Sequence, residues 1–134
     1  MAKQLTVGLV DDDPDLLWVL DAMLAGHNCR TELYTSAEQF LDTAPASAAA
    51  CLVVDINLGD LSGIELARQL VARGFTFPLI FMSGGKDEIV LREAAELGCI
   101  GFLEKPFSAG DLIGAVAKAT GRSFKPANAD QRSM

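Results

Sequence analysis

Four apolar runs in this chain stop abruptly at residues able to do chemistry. Cys51-Leu-Val-Val ends at Asp55, and Leu5-Thr-Val-Gly-Leu-Val10 ends at Asp11-Asp12-Asp13-Pro14. Pro78-Leu-Ile-Phe-Met82 ends at Ser83-Gly84-Gly85, and Cys99-Ile-Gly-Phe-Leu leads to Glu104-Lys105-Pro106-Phe107. Pro14 suits the first position of a helix, which makes Asp13 its N-cap and leaves Asp11 and Asp12 without a capping duty. A bare acidic pair suits a hard divalent cation, Mg²⁺ or Mn²⁺, which takes oxygen ligands. Each residue also has an ordinary structural reading. Asp55 alone is a loop acid after a core strand, Ser83 alone begins a turn, and acids before a helix complement its dipole. The chemical reading depends on whether one fold brings these strand ends together.

The elements between them allow it. Four small or β-branched residues before Asp55 read as a strand buried on both faces, as a parallel central strand must be. A first helix is expected over 14–25, with Leu16, Val19, Leu20, Met23 and Leu24 as its core stripe, Leu17 at the margin and Trp18 nearly opposite. Cys29 to Tyr34 alternates like an edge strand. Ser36 with Gln39, Ser62 with Glu65 and Ser108 with Asp111 open three further helices. Another is expected over 88–97, ended by Gly98. Five alternations of strand and helix imply one α/β domain, a doubly wound five-stranded parallel sheet flanked by five helices, over residues 1–121. Residues 122–134 read as a polar tail. In such a sheet the strand ends share one carboxyl edge, where ligands collect.

Composition narrows the class. Half of the 134 residues are hydrophobic, enough for a sizeable core, and the net charge is −7. The eleven Lys and Arg form no basic run, which argues against direct nucleic-acid binding. The apolar run 48–54 is far short of the roughly 20 residues of a membrane span, and Met1-Ala-Lys-Gln does not read as a signal peptide. Three cysteines without a CxxC or a histidine cluster fit buried free thiols in a reducing cytoplasm and not a zinc site.

Converging carboxylates repel one another unless a cation holds them ionised. Cation, Lys105 ammonium and Ser83 hydroxyl together favour a phosphoryl group, whose transfer needs mainly positioning and charge neutralisation. A carboxylate can itself be the nucleophile, giving an aspartyl phosphate. Asp55 is the candidate, since it stands alone while Asp11 and Asp12 are paired.

Over roughly residues 5–120 the chain resembles a response-regulator receiver domain of two-component signalling (CheY-like). The residues carrying the resemblance are Val10-Asp11-Asp12-Asp13-Pro14, Val54-Asp55-Ile-Asn57 with Leu61-Ser62-Gly63, Met82-Ser83-Gly84, and Phe102-Leu-Glu-Lys105-Pro106-Phe107. The resemblance implies Asp55 as phosphoacceptor, Asp12, Asp55 and the Asn57 backbone carbonyl as Mg²⁺ ligands, and Asp11 on metal-bound water. It implies Ser83 and Lys105 on phosphoryl oxygens, Phe102 as the aromatic switch residue, and a cis Lys105–Pro106 bond. Gly59 departs from the proline common at that position, and Leu17 and Trp18 stand where relatives are often polar.

The resulting expectation is a stand-alone, cytoplasmic receiver that takes phosphoryl from a histidine kinase or histidine phosphotransfer protein and signals to a downstream protein. It would be no enzyme beyond its own phosphorylation and dephosphorylation. Leu17 and Trp18 are candidates for docking the donor. Two rivals are a small Mg²⁺-dependent phosphohydrolase and a flavin carrier, the latter ill served by three acids where a phosphate-cradling loop would be needed.

Overall fold

The computed structural model describes residues 4–59, 61–85 and 88–124. The strands are β1 (Leu5–Val10), β2 (Cys29–Tyr34), β3 (Cys51–Asp55), β4 (Leu79–Ser83) and β5 (Gly101–Glu104). The helices are α1 (Pro14–Ala25), α2 (Ala37–Thr43), α3 (Gly63–Ala72), α4 (Glu88–Glu96) and α5 (Ala109–Thr120), with a 3₁₀ turn at Ala44–Ala46. All strand pairs are parallel, in the order β2-β1-β3-β4-β5.

Side-chain alternation builds two cores, one on each face of this sheet. Val7, Leu9, Cys51, Val53, Ile80 and Met82 pack with Leu20 and Leu24 of α1 and Leu112 and Val116 of α5. Val10, Leu52, Val54, Leu79 and Phe81 pack with Phe40 of α2, Leu66 and Leu70 of α3 and Ala94 of α4. Every residue of β3 is buried, as its uninterrupted apolar run requires. The helices begin where their caps stand. Asp13 accepts from Asp15 N–H, Ser36 from Gln39 N–H, Ser62 from Glu65 N–H, and Ser108 forms a full capping box with Asp111. Gly121, at φ +69°, ends α5 in the left-handed conformation that favours glycine.

The structure corrects the expected face of α1. Leu17 is 3% exposed and belongs to the core, whereas Val19, expected inside, is 49% exposed. Residues 16 to 20 are all large and apolar, so several helical stripes were available, and packing against β1 and α5 selects Leu17, Leu20 and Leu24. Trp18 is 74% exposed, on the outward face expected of it. β5 begins at Gly101, because Cys99 N–H still bonds Ala94 O at the end of α4. Cys29 and Cys51 are buried, but Cys99 is only partly so. Residues 125–134 of the expected tail lie outside the described residues.

Candidate functional site

β1 and β3 are neighbours; β3 ends at Asp55 and β1 is followed directly by Asp11, both at the carboxyl edge of the sheet. Asp11 is fully buried. Its Oδ1 accepts from Asp13 N–H at 2.9 Å, and its Oδ2 from Lys105 Nζ at 2.9 Å. Asp11 is thus more than a turn acid: it ties the start of α1 to the loop after β5. Asp12, next to it, is exposed. Asp55 closes β3, 5% exposed, with Oδ1 accepting from Asn57 N–H at 3.0 Å and Oδ2 from Lys105 Nζ at 3.1 Å. One ammonium therefore bridges two carboxylates that lie 44 residues apart in sequence, from a third position 50 residues beyond Asp55.

Lys105 is held by its backbone as well. Its N–H donates to Ser83 O at 2.7 Å, extending the β4–β5 ladder by one bond, and the Lys105–Pro106 peptide is cis. Ser83 is buried, and its hydroxyl is engaged within its own turn: it donates to Gly85 O at 2.9 Å and accepts from Gly85 N–H at 3.2 Å. Phe102 is half-buried and packs against the core on the α2–α3 face, beside Phe81 in register. Asn57 is exposed just beyond Asp55.

The charges set the electrostatics. Burial pushes the Asp11 carboxyl above its ordinary value, outweighing the Asp13 N–H and Lys105 bonds that favour the anion. Burial works against the Lys105 ammonium, but hydrogen bonds to Asp11 and Asp55 prevail and raise its pKa. Oxygen atoms of Asp11, Asp12 and Asp55 all lie within 4.8 Å of one another. Three carboxylates against one ammonium leave surplus negative charge on a hard, all-oxygen donor set, one buried member of which is held ionised at a cost. Those residues fit a small divalent cation.

The expected residues Asp11, Asp12, Asp55 and Lys105 thus form one cluster, with Ser83 joined to it through the Lys105 backbone. The sequence carries no sign of the Asp11–Lys105 pair. It spans 94 residues, and no local pattern could signal it. The corrected position of Leu17 also matters here, since a buried side chain offers no docking surface. Beside the cluster lies a largely apolar groove of about 560 Å³, lined by Leu16, Val19, Met23, Gly84, Pro106 and Phe107.

Comparison with known proteins agrees with this fold. The family model for the response regulator receiver domain matches residues 7–117. The transcriptional regulatory protein FixJ of Azorhizobium caulinodans is 37% identical over 123 residues, 92% of this chain and 58% of that protein. The response regulator protein TmoT of Ectopseudomonas mendocina is 32% identical over 117 residues, 87% of this chain and 53% of its own. The crystal structure of FixJ-N matches with a TM-score of 0.83 at 32% identity, covering 93% of this chain and 100% of that one. The chain therefore spans little more than half the length of these curated relatives.

Proposed function

Because the chain belongs to the response-regulator receiver family and has the phosphoacceptor role of that family in two-component signalling, we propose that Asp55 is the carboxylate that accepts the phosphoryl group. The observation that carries this is the Lys105 ammonium bridging Asp55 and Asp11, beside a third carboxylate, at the carboxyl edge of the central strand. An Asp55 oxygen attacks phosphorus, and the bond from phosphorus to the donor's imidazole nitrogen breaks with its electron pair leaving on that nitrogen. Lys105 loses one carboxylate partner in the step and has an anionic phosphoryl oxygen to replace it. Ser83 exchanges its bond to Gly85 for a phosphoryl oxygen, and Phe102 moves inward as the hydroxyl leaves, shifting an existing equilibrium.

Asp11, Asp12, Asp55 and the Asn57 carbonyl would hold Mg²⁺ or Mn²⁺, which when bound neutralises charge on the phosphoryl oxygens. Residues 1–121 form the signalling unit and 122–134 a polar extension. The donor is a histidine kinase or histidine phosphotransfer protein, and the conformational switch signals to a downstream partner. A cytoplasmic location is the reading that three free cysteines favour, since they suit a reducing compartment; separately, none of the described helices is long and apolar enough to cross a membrane. No observation favours a phosphohydrolase on free substrates.

Trp18 is the side chain we assign to donor recognition. It stands exposed one turn beyond the acids, while Leu17 is buried in the core. Trp18→Ala should slow transfer from the protein donor and leave labelling by acetyl phosphate unchanged. Equal loss in both reactions, or no loss in either, refutes this docking role. The function itself is tested with acetyl phosphate. Wild-type protein should acquire one phosphoryl group with Mg²⁺ and none with chelator, and labelling indifferent to chelation would count against the site.

A further inference from the structure

The start of α3 sits unusually close to the phosphoacceptor. Gly63, the first residue of α3, donates its N–H to Ile56 O at 2.9 Å, while Ile56 N–H donates to Met82 O of β4 at 2.9 Å. Ile56, the residue after Asp55, is thus held through both its backbone N–H and its carbonyl. A Cβ at position 63 would lie inside contact distance of the Asp55 carbonyl oxygen, and 3.0 Å from both Asp55 C and Ile56 Cα. All three are backbone atoms, so no flexible side chain can swing aside. Gly8 is the other described glycine where a Cβ would meet something too closely, and there the obstacle is the end of the Leu52 side chain. At Gly59, in the loop that follows Asp55, a Cβ would meet nothing within 4 Å. The requirement at 63 is for space and not for backbone freedom, since the left-handed glycines of this chain are Gly74, Gly98 and Gly121.

We propose that Gly63 is a positioning residue for Asp55: its missing side chain lets the start of α3 seat against the phosphoacceptor's own peptide and fix where the carboxylate points. The proposal rests on Asp55 being the acceptor. Any side chain at 63 must push the Asp55–Ile56 peptide away from α3. That tilts the carboxylate relative to Lys105, 3.1 Å from its Oδ2, and disturbs the Asn57 N–H bond on Oδ1. Small misplacements of a reacting group carry large rate costs, because the orientation has to be regained in the transition state.

Gly63→Ala and Gly59→Ala are compared with the wild type, at a temperature where circular dichroism shows each folded, using acetyl phosphate at saturating Mg²⁺. For Gly63→Ala the rate at saturating donor should fall at least tenfold while the half-saturating donor concentration stays within twofold. A purely structural role would lower only the melting temperature. Gly59→Ala should stay within twofold of the wild type in both quantities. A folded Gly63→Ala with the wild-type rate overturns the proposal, as does an equal loss in Gly59→Ala. Should Gly63→Ala not fold, hydrogen exchange of the wild type decides: the Gly63 amide should exchange as slowly as that of Val54, and exchange a hundredfold faster overturns the tight seat. Mapping of the wild-type phosphoryl group to a residue other than Asp55 would instead sink the assignment beneath the proposal, a failure seen without any variant.

Discussion

Replacing Lys105 by methionine keeps the length of the side chain and removes the charge shared by Asp11 and Asp55. The wild-type ammonium makes two charge-assisted bonds, at 2.9 and 3.1 Å, each worth about 1.5–3 kcal/mol. Their loss has a ceiling, because buried Asp11 can take up a proton. Protonating a carboxyl with an ordinary pKa of about 3.9 costs about 4 kcal/mol at pH 7 but only about 1.5 kcal/mol at pH 5. Lys105→Met should therefore lose about 3–4 kcal/mol at pH 7 and less at pH 5, where the share that falls on Asp11 is capped at about 1.5 kcal/mol. Without Lys105 the folded Asp11 pKa, already raised by burial, rises further. The folded variant then binds more protons than the unfolded one, and its stability increases as pH falls. The wild-type ammonium adds no slope here, since its contribution is complete below the ordinary lysine pKa and is lost only as pH climbs through the raised folded value. Urea unfolding followed by circular dichroism in chelator at the two pH values is the assay. A loss under about 1 kcal/mol at pH 7, or the same loss at both, would refute the reasoning.

Asp12→Ala should weaken Mg²⁺ binding more than Asp13→Ala, since Asp13 is occupied by the Asp15 and Leu16 N–H groups; titrations in the opposite order would show the turn to be misread. Tyr34, the sole tyrosine, should titrate with a midpoint of about 12 in absorbance, raised by burial and by its bond to Glu32. The unfolded phenol ionises near 10, so its contribution to stability should decline between the two values, and Tyr34→Phe should lack that decline in alkaline denaturation. A thiol reagent at pH 8 should modify Cys99 first, because it is partly exposed whereas Cys29 and Cys51 are buried; burial raises all three thiols, that of Cys51 to about 12; peptide mapping that finds Cys51 first would contradict the packing.

What the sequence made legible was local or periodic. The caps at Asp13, Ser36, Ser62 and Ser108 need only three or four residues to declare themselves, and the two-faced burial of β3 follows from its unbroken apolar run. The carboxyl edge could be inferred from alternation alone, which placed Asp11, Asp55, Ser83 and Lys105 on one side of the sheet. Where several local solutions existed, packing decided among them. Five consecutive apolar residues in α1 left its inner face undetermined until β1 and α5 buried Leu17 in place of Val19. Long-range charge pairing was likewise invisible: the Asp11–Lys105 bond and the engagement of Ser83 with Gly85 depend on the loops meeting in three dimensions.

The central claim is that Asp55 is where the phosphoryl group arrives. Wild type and Asp55→Asn are incubated with acetyl phosphate and Mg²⁺, and intact mass and fragment mapping locate the modification. The wild type should carry one phosphoryl group, on Asp55, and Asp55→Asn should carry none. Labelling of Asp55→Asn equal to that of the wild type, or a wild-type phosphoryl group on Asp11, Asp12 or Ser83, would contradict the account.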